Sequence, residues 1–90
     1  MEYNGWKNYE TWCVHLWITN ESSSDRYWRD LAKKLHLNDL AETLKAEIED
    51  GAPKIEGLYS DLLSAAISET DWYEIAEALK DENEINSYKE

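Results

Sequence analysis

Residues 8–17 read NYETWCVHLW, and the spacing within them decides whether the chain opens with a packed helix or with a reaction site. Tyr9, Trp12, Cys13, Leu16 and Trp17 stand at i, i+3, i+4, i+7 and i+8, the interval that gathers side chains onto one stripe of an α-helix. Asn8, immediately before them, belongs to the residue types whose side-chain oxygen caps a first-turn N–H. The spacing therefore predicts a helix over about 9–19 that buries this stripe and points His15 elsewhere.

The same period continues outward along the chain. After a polar loop, NESSSD, whose last serines are candidate caps, Tyr27, Trp28, Leu31, Ala32 and Leu35 mark the inner face of a second helix,. Arg26, Arg29, Lys33 and Lys34 fall mostly outside it. Asn38 is a candidate cap for a third helix that turns Leu40, Ala41, Leu44 and Ile48 inward and stops at Gly51, before Pro53,. DGAP is the strongest break in the sequence. Beyond it, Ile55, Leu58, Tyr59, Leu62, Leu63 and Ala66 predict a fourth helix ending near Ser68. Asp71 and Glu74 then have the spacing of a capping box for a fifth, with Trp72, Ile75, Ala76 and Leu79 facing inward,. No strand-like alternation of useful length appears. The expected fold is all-α, a compact single domain over residues 1–90 with about five short helices and a polar tail that frays from about residue 83.

Ninety residues support one core and bury roughly 60–65% of the unfolded surface. No apolar run approaches the roughly 18 residues of a membrane span, and no basic-then-apolar leader opens the chain, so the expected location is the cytoplasm. The single cysteine, Cys13, agrees with a reducing compartment.

Reactive residue types do not assemble into a catalytic or metal-binding pattern. Cys13 and His15 are two positions apart, about 200° around a helix, and cannot close on one ion. There is no paired-cysteine or H-E-x-x-H spacing, no G-x-S-x-G turn around Ser22, Ser23 or Ser24, and no glycine-rich phosphate loop. Neither an enzyme nor a resident cofactor or metal is expected.

The charge is more informative. Of a net −11, residues 1–45 carry 7 acids and 6 Lys/Arg, whereas residues 46–90 carry 13 acids and 3 Lys/Arg. Such a field repels phosphate backbones and anionic lipid, which argues against direct nucleic-acid or membrane binding and favours a basic protein partner. On the fifth helix Asp71, Glu74, Glu77 and Asp81 recur every three or four residues, a row of carboxylates that weakens its own helix by like-charge repulsion. The ladder is similar in scale to the phosphates of one nucleic-acid strand, at about 3.4 Å per step. Five tryptophans and six tyrosines without a phenylalanine add a second signal, because both rings carry a polar atom and are enriched at interfaces. Trp6 and Tyr3, ahead of the first helix, are the freer candidates for contact.

KNYETW, then HLW and Asn20, with the later GLYSDLLSAAISETDWYEIAE, resembles a family of small proteins encoded by phages, plasmids and their hosts, with an N-Y-x-T-W…L-W opening and an S-D-L-L…W-x-E-I-A closing segment. Asn8, Tyr9, Thr11, Trp12, Leu16 and Trp17, together with Tyr59, Asp61, Leu62, Trp72, Glu74, Ile75 and Ala76, match those motifs. Cys13 and His15 stand where the family often has Asn and Ala, which weakens any chemistry assigned to them. The resemblance implies a mobile-element context, in which small acidic proteins often inhibit host defence as anti-CRISPR or anti-restriction proteins. The expectation that follows is a non-enzymatic inhibitor that meets the basic surface of a host nucleic-acid-binding complex through Glu69, Asp71, Glu74, Glu77, Asp81 and Glu82, with exposed Tyr or Trp as apolar anchors. The alternative is a small regulatory or structural interaction module, monomeric or homodimeric through the tryptophan-rich first helix, with acidity serving solubility alone.

Overall fold

Five helices follow one another through short connections in the computed structural model, which describes the backbone of residues 2–89 and the side chains of residues 2–83. They are α1 Tyr9–Asn20, α2 Ser22–Lys34, α3 Leu37–Asp50, α4 Leu58–Glu69 and α5 Trp72–Lys89. No strand occurs among the described residues, and the all-α expectation holds. The fraying expected from about residue 83 lies outside the described side chains, and the backbone there is helical to Lys89.

The core is built where apolar period and burial coincide. Leu40 and Leu44 of α3 meet Ile75, Ala76 and Leu79 of α5, all completely enclosed, with Trp72 beside them. Trp28 and Ala32 of α2 and Ile18 of α1 complete the cluster. Each enclosed Leu or Ile contributes about 1.5–3 kcal/mol relative to exposure. The α3–α5 contact is the most extensive in the molecule, and α5 also lies along α2.

The helix starts only partly follow the expected caps. Asn8 does begin α1, its Oδ1 accepting the Thr11 N–H at 3.0 Å. The second cap is not a serine. Glu21 alone separates α1 from α2, and its carboxylate accepts from the backbone of Ser23 (3.0 Å) and Ser24 (2.9 Å). Those two N–H groups hold its carboxyl below the usual glutamate range. The serines are thereby drawn into the helix, and Ser24 Oγ donates back to the Ile18 carbonyl at 2.7 Å. Helix α3 likewise starts earlier than Asn38, with His36 in the cap position and no side-chain bond there.

Two expected inner faces are overturned. On α1 the side that enters the protein carries Thr11 and Ile18, whereas Tyr9, Leu16 and Trp17 are exposed, and Trp12 and Cys13 are half-buried. Apolar residues lie almost all round this helix, so spacing did not identify the face, and Thr11 turns inward because its hydroxyl is satisfied there. On α4 no residue is buried. Leu58, Tyr59 and Leu62 are exposed, Ile55 precedes the helix, and of the apolar residues of α4 only Leu63, Ala66 and Ile67 are partly covered, chiefly against α1.

Candidate functional site

The six acids expected to meet a partner do not form one uniform row. Asp71 caps α5, its Oδ1 accepting the Glu74 N–H at 3.0 Å. The return half of the capping box is absent: Glu74 Oε1 instead accepts the Lys7 backbone N–H at 3.0 Å, and the Asp71 N–H donates to Thr11 Oγ1 at 2.8 Å. Glu82 is turned toward α1 and α2, with its Oε1 3.0 Å from Arg29 Nη1 and its Oε2 3.3 Å from His15 Nε2. The Arg29 contact is an ion pair by distance without hydrogen-bond alignment. Arg29 Nε also bonds Asp25 at 2.8 Å. Glu69 is exposed and offers its backbone carbonyl to Asn8 Nδ2 at 2.7 Å.

Glu77 and Asp81 are different. Both are exposed, and with Glu74, Ala78, Gly5 and Trp6 they line a shallow hollow of about 300 Å³. Trp6 reaches it through a turn in which Tyr3 and Trp6 exchange backbone hydrogen bonds of 2.7 and 2.8 Å. Asn4 and Gly5 both have positive φ, 48° and 88°, the pairing for which Asn-Gly is the preferred sequence. That dipeptide is the signal by which this edge of the hollow is legible in sequence. Trp6 then stacks on His15 with ring centres 4.6 Å apart, and Tyr3 packs on Tyr9 and Trp12 at 5.2 and 4.9 Å. Neither ring stands free, contrary to the expectation for residues ahead of the first helix.

Lys80 does not neutralise this face. Its Nζ donates to the carbonyls of Ala32 (2.7 Å) and Leu35 (2.5 Å), at the negative end of α2 where a cation is favoured. It is the sole Lys or Arg among the described side chains of α5.

A second concavity, unanticipated by the sequence reading, lies between α1 and α4. It measures about 340 Å³ and is lined almost wholly by apolar atoms, among them Tyr9, Cys13 and Val14 of α1, Leu63, Ala66 and Ile67 of α4, and Ile48 and Pro53 beneath. It appears because the α1 stripe that spacing had turned inward is one wall of an open groove. Among the described residues no three His, Cys, Asp or Glu side chains converge as a metal site would require. No helix among them is long and apolar enough to cross a membrane.

The chain belongs to a family of unknown function (DUF7249), which it matches over residues 1–90. No curated protein and no solved structure matches it.

Proposed function

We propose that this protein is a non-enzymatic binder from a phage or other mobile element, which inhibits a host defence complex by occupying its basic nucleic-acid-binding surface. The contact is the ridge of Glu77 and Asp81 with Glu74 behind them. One observation carries this reading: two exposed carboxylates share a hollow with an aromatic ring, and the neighbouring cation is committed elsewhere. Uncompensated charge of that kind accelerates encounter with a basic surface, and Trp6 supplies an apolar edge at the point of contact. Asp71 and Glu82 hold the fold together and contribute to the field without touching the partner. Glu74 does both, because it also fixes the amide of Lys7.

The test is protection in cells. The wild-type gene is expressed in hosts carrying a defined CRISPR or restriction system, and phage plating efficiency is compared with that of the Glu77→Lys/Asp81→Lys double variant. Wild type raises plating, and the variant, with unchanged far-UV circular dichroism, returns it to the empty-vector level. Equal protection by the variant, or none by wild type in any system, overturns the reading.

A further inference from the structure

The apolar groove between α1 and α4 and the acidic hollow share no lining residue, and no residue of α1 lines the hollow. Helix α1 begins where α4 ends: Asn8 bonds Glu69, and Thr11 bonds Asp71. The groove therefore starts at this shared end, with α1 and α4 as its walls. One turn beyond the lining residue Cys13 stands Trp17, and one turn before the lining residue Leu63 stands Tyr59. Residues four apart share a helix face, so these two rings prolong the groove. Both are 69% exposed, and Leu62, at the border of that face, is 57% exposed. With Tyr9 and Leu16 this amounts to on the order of 500 Å² of apolar side chain, taking about 200 Å² for a large ring. The largest patch on a typical monomer is about 300–600 Å², and one partner of a standard interface covers about 800 Å².

The charges around the groove select its occupant. Glu10 lines the groove and Glu69 adjoins its lining residue Thr70, while neither α1 nor α4 contains a lysine or arginine. In the connection beneath, Lys54 and Glu56 cancel, and Glu49 and Asp50 precede them. A second copy would bring the same acids to the interface with no cation on either of its groove helices. A helix that presents apolar residues to the groove and Lys or Arg at its borders meets the opposite sign along its length.

We propose that the α1–α4 groove, prolonged by Trp17 and Tyr59, docks an amphipathic helical segment of another protein whose apolar stripe is flanked by lysine or arginine. The probe is a synthetic Leu/Lys peptide with helical periodicity, titrated into the full-length protein at physiological salt and followed by calorimetry. A peptide of the same composition with the period scrambled is the control. The periodic peptide binds, the scrambled one binds about tenfold or more weakly, and Trp17→Ser and Leu62→Ser each reduce affinity by about tenfold while helicity is retained. The Glu77→Lys/Asp81→Lys variant binds within about threefold of wild type, because its changes lie on the other surface and salt screens them. Equal binding of the scrambled peptide, or a loss confined to the Glu77/Asp81 variant, overturns the proposal. So does sedimentation as a dimer that Trp17→Ser converts to monomer, which would assign the face to a second copy.

Discussion

Thr11 and Asp71, 60 residues apart, join the first helix to the start of the last: the Asp71 N–H donates to Thr11 Oγ1 at 2.8 Å, and the same hydroxyl donates to Asn8 Oδ1 at 2.6 Å. Thr11 is fully buried, so the hydroxyl satisfies groups that water cannot reach. Thr11→Val keeps the shape and removes the oxygen, leaving the Asp71 amide unpaired. The expected loss is about 1–3 kcal/mol, read as a lower urea midpoint with an unchanged slope. The Asn8 and Thr11 of the N-Y-x-T opening are thus residues of assembly.

Lys80 joins α5 to the end of α2 through the carbonyls of Ala32 and Leu35. Lys80→Met retains the aliphatic stem and removes two charge-assisted bonds, for an expected cost of about 1–3 kcal/mol. Thermal melts of the variant fall below wild type even though its net charge is more negative by one.

The two leucines Leu44 and Leu62 separate core from surface. Leu44 is completely enclosed and Leu62 is 57% exposed. Leu44→Ala loses about 2–5 kcal/mol through the cavity it leaves, a large fraction of the stability of a domain this small. Leu62→Ser stays within about 0.5 kcal/mol of wild type. Denaturant titration of the two variants checks the contrast.

Glu21 gives the fold a dependence on acid. The Ser23 and Ser24 N–H groups lower its folded value below the ordinary 4.5, so the native state favours the carboxylate. Its contribution is complete above the unfolded value and fades as pH falls through the folded one. Glu21→Gln is accordingly less stable than wild type at neutral pH, and the difference closes as pH falls from 4.5 through the lowered folded value,. Paired thermal melts across that range, monitored by circular dichroism, measure the closing gap.

The inner faces of α3 and α5 were legible because each combines a helical period with a polar opposite side, so Leu40, Leu44, Trp72, Ile75, Ala76 and Leu79 could be named before any coordinates. Trp28 and Ala32 of α2 were legible for the same reason. Helix α1 was not, because Thr11 reads as polar until its partners Asn8 and Asp71 are brought to it. Tyr9 and Trp17 read as core from their helical spacing, although both are exposed. On α5, periodicity gave the acidic row, but which acids stay free depended on Lys7, Arg29 and His15, which lie 67, 53 and 67 positions from the carboxylates they meet. Asn4-Gly5 was a local signal for the turn that carries Trp6, and it required only the preference of that dipeptide for positive φ.

Helix α4 contributes no buried residue, and this divides the molecule into parts that open at different free energies. Undocking α4 from α1 exposes little that was enclosed, whereas separating α3 from α5 uncovers Leu40, Leu44, Ile75 and Leu79 together. Amide hydrogens of α4 will exchange through local opening, and those at the centres of α3 and α5 through global unfolding. The wall of the groove thus yields without the domain unfolding, so a ligand bulkier than the resting cleft widens it by moving one helix.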